Sequence, residues 1–221
     1  MPWPMVHFAI SDQLHNGTPA PELLIGSIGP DAIHARGSIS REEKGLTHLV
    51  YQGIMPTKEM IGDKYDSYVS MNTTKEWRDF VLGYFSHIYT DLRWTETLYS
   101  DFELAYGGEP NAQRGTYNSE VSQVEFDLIR STDRLDKWIK LLKGTEGYSI
   151  DPYVTGQEVR QYRDEKIAWL LEAGNEPRIT PVYFTLERVL QFIDQTAMEI
   201  RELLSERLPA IEEFIEERRV K

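Results

Sequence analysis

Across residues 74–106 apolar side chains recur at intervals of three and four. Trp77, Phe80, Val81, Tyr84, Ile88, Leu98 and Phe102 fall on one stripe, the spacing of a helix with one buried face. Gly107, Gly108 and Pro110 end the pattern. The same period links Val121, Val124, Leu128, Leu135, Ile139 and Leu142, which predicts a helix over 118–143 that stops at Gly144. Two further helices are predicted over 156–173, closed by Gly174, and over 185–218. In the last, Val189, Phe192, Ile193, Ile200, Leu203 and Leu204 form the stripe, and Pro209 is expected to kink or split the helix. The first third is less regular. His7, Ile10 and Leu14 share a face of a short helix over 5–14, and a second short turn is expected over 22–27, ahead of Gly29-Pro30-Asp31. Residues 36–73 mix Gly, Pro and charge and read as irregular structure or short helices. No alternating pattern persists, so the chain reads as a single all-α domain over 1–221, a multi-helix bundle with a loop-rich N-terminal third.

Composition narrows the chemistry. A chain of 221 residues with 40% hydrophobic side chains buries a core without disulfide or metal support. The absence of cysteine excludes disulfide frameworks, thiolate nucleophiles, iron–sulfur clusters and cysteine zinc fingers, so any metal is left to His, Asp and Glu. With 24 basic against 36 acidic residues the formal charge is −12, which repels phosphate backbones and makes duplex nucleic acid an unexpected partner. No run approaches the roughly 18 apolar residues that span a membrane. The opening MPWPMVHFAISDQLHNG has neither the basic nor the apolar region of a secretory signal. A cytoplasmic protein is the simplest expectation.

The histidines carry most of the remaining information. All five (His7, His15, His34, His48 and His87) lie in the first 87 residues. His87 and Asp91 stand four apart on the 74–106 helix, one above the other on its apolar stripe. Such a pair is expensive to bury unless satisfied. It reads either as a His–Asp hydrogen bond in the core or as a two-ligand platform for a metal such as zinc. His7, beside Trp3 and Phe8, poses the same choice. In GSIGPDAIHAR a tight turn presents Asp31, with His34 one helical turn on, although Asp after Pro is also a common helix cap. KGLTHL places His48 in a weakly patterned stretch.

In this order, a His in the first helix, GSIGPD, a Thr-His pair and His-x-x-x-Asp on a long helix resemble the zinc-dependent phospholipase C family, a relative of the single-strand-specific zinc nucleases. The resemblance covers residues 3–95; residues 117–218 agree only in being helical. It implies an all-α bundle whose metal cluster hydrolyses phosphodiester bonds. Asp31, His48, His87 and Asp91 would ligate one ion, and Asp91 would bridge to a second held by His7. The family's N-terminal Trp amine has no direct equivalent, because Trp3 follows Met1-Pro2. The family's later site uses two His and a Glu, and no His follows His87. Glu120, Glu125 and Asp127 are the carboxylates available in its place, against the alternative of a solvated helix face.

The expected reaction is hydrolysis of a phosphoester or phosphodiester by a metal-activated water, with Asp31 as a possible base and His34 or His7 as a possible proton donor. Zinc is the expected ion, one or two of them, with manganese, nickel or iron(II) also suited to mixed His and carboxylate ligands. A small phosphoester or a phospholipid would be the substrate, and the acidic surface tilts towards a soluble one. An HD-type phosphohydrolase is excluded because no His-Asp dipeptide occurs, and a DinB-like bundle would need Asp91 in place of a third His. The non-enzymatic alternative is a helical scaffold whose His–Asp pairs are core hydrogen bonds. Its acidic C-terminal segment ERLPAIEEFIEERR would be solvated or would face a partner, a second copy included.

Overall fold

The computed structural model describes residues 2–219, with side chains through Arg207. It is all-α. The helices are α1 (Pro4–Leu14), α2 (Pro21–Gly26), α3 (Arg41–Thr47), α4 (Lys58–Val69), α5 (Lys75–Trp94), α6 (Ser100–Ala105), α7 (Gln113–Ser131), α8 (Leu135–Lys143), α9 (Gly156–Leu171) and α10 (Leu186–Arg219). A 3₁₀ segment, Pro30–Arg36, lies between α2 and α3. Among the described residues extended pairing is limited to the isolated bridges Tyr51 to Ile54 and Ile150 to Val154, and no helix is long and apolar enough to cross a membrane.

Helix α5 is the axis of the bundle. Its N-cap Thr74 accepts from the Trp77 amide, satisfying one of the free donors of the first turn. Residues 83–92 are buried all round, as expected of a helix with neighbours on every side. Those neighbours are α1, α2, α4, α10 and the Pro30–Arg36 segment. Contact with α2 is backbone against backbone. A Cβ on Gly26 would run into the Phe80 carbonyl, and one on Gly83 into the Leu23 carbonyl and the Ser27 amide. Two glycines thus set how close α2 lies to α5, and the end of α2 presents Ser27 to the ligand helix.

The expected single rod over 74–106 is α5 and α6 joined by a π-helical stretch, Thr95–Tyr99. The Thr95 hydroxyl donates to the Asp91 carbonyl at 2.8 Å and the Thr97 hydroxyl to the Arg93 carbonyl at 2.6 Å, the back-bonding by which Ser and Thr perturb a helix. The expected helix over 118–143 is in fact two. The chain is extended at Thr132, in a Ser-Thr-Asp stretch that favours turns. Asp12 fixes the new direction by accepting from Trp138 Nε1 at 3.0 Å and Arg134 Nη1 at 2.6 Å. Residues 36–73 contain α3 and the twelve-residue α4. The helix assignment of α10 runs through Pro209; the side chains of that stretch, and with them the expected acidic partner face, lie outside the described residues.

Gly83→Ala is expected to lower stability by about 3 kcal/mol, the upper part of the usual overpacking range, because the obstacle is backbone. Gly115→Ala on the exposed part of α7, where a Cβ meets open space, should be neutral or stabilising by up to about 1 kcal/mol. Thermal denaturation of the two variants checks the contrast.

Candidate metal centre

The five residues implied as ligands converge from four elements. His7 comes from α1, Asp31 from the Pro30–Arg36 segment, His48 from the C-cap of α3, and His87 with Asp91 from α5. His7, His48, His87 and Asp91 are no more than 2% exposed, and Asp31 is half-buried at the rim.

The ring orientations follow from backbone acceptors. A carbonyl oxygen only accepts, so the contact of His87 Nδ1 with the Ser27 carbonyl at 2.7 Å places a proton on Nδ1. His48 Nδ1 meets the Lys44 carbonyl at 3.0 Å and the Thr47 hydroxyl at 2.8 Å, and because that hydroxyl donates to the same carbonyl the proton falls on Nδ1. When the rings are neutral, both Nε2 atoms are therefore bare acceptors, and they face each other at 3.2 Å. Asp91 Oδ2 lies 3.4 Å from each of them. The three atoms form a nearly equilateral triangle of acceptors. A tetrahedral ion with ligand bonds of about 2.0–2.1 Å has donor atoms about 3.3 Å apart, so the triangle has the dimensions of one face of such a site.

His7 stacks on His87, with ring centroids 3.9 Å apart and planes within 9°. Neither of its nitrogens has a hydrogen-bond partner, and its Nε2 stands 3.7 Å from Asp91 Oδ1. Asp91 therefore turns one oxygen to His7 and the other to His48 and His87, as a bridging carboxylate does, and neither oxygen receives a hydrogen bond. Two donor groupings result among the described residues, His7/His87/Asp91 and Asp31/His48/His87.

Electrostatics agree with this layout. Burial, and then the neighbouring His87, push His7 down to about 3, so its ring stays neutral. Burial acts to raise Asp91, but His87, His48 and His7 together hold it at about 2, ionised. Burial likewise acts to raise Asp31, and Lys44 and His48 outweigh it, leaving Asp31 well below the usual carboxylate range. Burial acts to lower His87, yet Asp91 leaves it above the ordinary histidine value. The neighbouring carboxylates thus favour positive charge on the His87 ring.

Several residues needed the structure to be seen. Lys44 Nζ pairs with Asp31 Oδ1 at 2.9 Å and reaches His34 Nε2 at 3.2 Å, while Tyr162 on α9 donates to Asp31 Oδ2 at 3.5 Å. His34 is exposed at the rim, 3.9 Å from Asp31 Oδ1, and its Nε2 accepts from Lys44, which only donates. His34 is outside both donor groupings. His15, on the far side of α1, accepts from the Ala20 amide. Trp3 packs edge-on against Trp169.

The three later carboxylates do not assemble a further site. Glu120 accepts from the Tyr183 and Phe184 amides, and Asp127 is taken by Gln123 and Arg130. Glu125 accepts from the Met5 amide at 3.1 Å. The solvated-face alternative fails for two of them, because Glu120 is buried against the segment leading into α10 and Glu125 against the start of α1, while Asp127 is half-buried. No protein-family model, curated protein or solved structure matches the chain.

Burial pushes Glu125 from 4.5 up to about 8. Between those two pH values the unfolded chain has released the proton that the folded chain retains, so folding stability falls as pH rises, by at most about 1.4 kcal/mol per pH unit. Glu125→Gln keeps an acceptor for Met5 and removes the titration. Urea unfolding at pH 5 and pH 8 should show the variant gaining on the wild type at the higher pH.

Proposed function

We propose that the chain is a metal-dependent hydrolase of phosphoester or phosphodiester bonds, similar in its ligand order to the zinc-dependent phospholipase C family. The observation that carries the reading is the His48/His87/Asp91 triangle, whose atoms all accept and have no proton to share once the rings are neutral. The alternative, a core hydrogen-bond network, fits these separations less well. The His–carboxylate separations of 3.4–3.7 Å exceed the 2.7–3.2 Å of protein hydrogen bonds. His7 would moreover leave two buried nitrogens unsatisfied.

His48, His87 and Asp91, joined by Asp31, would hold one divalent ion, with His7 and the second Asp91 oxygen available to another. Such an ion supplies Lewis acidity, the means by which water becomes a nucleophile near neutral pH. Zinc fits best, and manganese, nickel or iron(II) suit the same mixed shell. Each protein group has a separate task. The Ser27 and Lys44 carbonyls fix the two imidazoles in the ligating tautomer, as outer-shell partners of metal histidines do. The Tyr162 hydroxyl takes one oxygen of Asp31, leaving the other turned towards His48. Asp31, so placed, would be the carboxylate available to take a proton from a water at the rim. Lys44 brings a positive charge there for a phosphoryl oxygen, and His34 orients Lys44 by accepting from it.

Zinc- or manganese-loaded protein is expected to hydrolyse bis(4-nitrophenyl) phosphate. Removing a primary ligand by His48→Ala should lower the rate on the order of 100-fold, at the upper end of what even outer-shell changes cost. Loss of activity on chelation and its return with added ion would support the reading; an equal rate in the variant would contradict it.

A further inference from the structure

A cavity of about 570 Å³ opens beside the ligand cluster, between α3 and the turn at residues 50–55, and His48 forms part of its wall. That volume suits a small organic molecule, since ligand pockets run from about 300 to 1,000 Å³. Its lining is divided. Lys44 and Arg41 bring two cations and Glu42 one acid to the lining, with Asp31 facing Lys44 from the cluster side. Lys44 stands at the cluster end, its ammonium 2.9 Å from Asp31. Away from the cluster the wall is half-buried Val50 and Met55, with backbone at Gly45 and Gly53. The carbon stems of Lys44 and Arg41 extend that apolar surface. Gly53 holds the turn open with a φ of +82°, and no atom lies within 4 Å of where its Cβ would be.

We propose that this cavity binds the substituent of an organic phosphoester, with Lys44 holding the anionic phosphoryl group beside the cluster and Val50 and Met55 receiving a compact apolar group. The inference rests on the hydrolase reading for the reacting end and on the cavity itself for the apolar end. A phospholipid presents a phosphoryl group beside apolar chains too, so the probes must separate a soluble ester from a lipid surface.

The test is calorimetric titration of the full chain with 1-naphthyl phosphate and with inorganic phosphate, alongside sedimentation with phosphatidylcholine vesicles, metal content being measured on the same samples. The wild type should bind 1-naphthyl phosphate at least about tenfold more tightly than inorganic phosphate, because only the former buries apolar area. Lys44→Met should weaken both anions. Val50→Asn should bring the naphthyl ester down to the affinity of inorganic phosphate while adding no charge to repel the latter, and Met55→Gln provides the same test if Val50→Asn fails to fold. Equal affinity for the two anions in the wild type, or vesicle binding without naphthyl phosphate binding, would overturn the proposal. Zinc-loaded protein with no naphthyl preference sinks the cavity assignment alone. Protein that takes up no ion yet keeps the preference sinks the hydrolase reading alone.

Discussion

An ionised carboxylate sealed beneath three imidazoles, its nearest ring nitrogens 3.4–3.7 Å away, is the constraint on which the rest of the structure depends. Burying a charge without a partner is among the most unfavourable arrangements a protein can adopt. Here the helices keep three further acceptors close to it. His87 Nε2 and His48 Nε2 face each other because the protons of both rings are drawn away by backbone carbonyls, and His7 Nε2 faces the other side of Asp91. In the ion-free protein only a proton relieves this concentration of lone pairs. The arrangement is unfavourable for stability by itself and well matched to a cation.

The fold is organised to maintain that arrangement. Glycines at 26 and 83 bring α2 onto α5 at backbone distance, which is what lets the Ser27 carbonyl reach His87. Tyr84, one turn before His87, donates to the Thr47 carbonyl at 2.9 Å and ties α3, with His48 at its end, to α5. Tyr162 reaches Asp31 from α9, so the C-terminal half of the chain braces a cluster whose candidate ligands come from the N-terminal half. The aromatic stacking of Trp94 on Phe184 at 5.4 Å anchors the far end of α5 against the segment leading into α10.

How much of this was legible in the sequence varied with the range of the interaction. Helical structure over 74–106 and its stop at Gly107 were readable because periodicity and breakers are local, although the π-helical stretch that separates α5 from α6 was not, and the same local rule put His87 and Asp91 on one face. The break at Thr132 was not readable from apolar spacing, since the stripe continues in phase across it; Asp12, more than a hundred residues away, sets the turn. Asp31 and His48 sit in stretches without periodicity, and only the order of short motifs tied them to His87. Lys44, Tyr162 and Ser27 had no local signal at all, as their roles exist only through contacts across the fold. The later carboxylates were misjudged for a similar reason: Glu120 and Glu125 look like solvated helix positions until the amides of residues 183–184 and residue 5 arrive to meet them.

The central claim is that the cluster around Asp91 is a metal site, and metal content of tag-free protein measured by mass spectrometry tests it most directly. Wild type purified without added metal, or reconstituted with zinc or manganese and desalted, is expected to retain one or two equivalents, and Asp91→Ala none. A wild type that retains no ion after reconstitution, or an Asp91→Ala variant that retains as much as the wild type, would contradict the account.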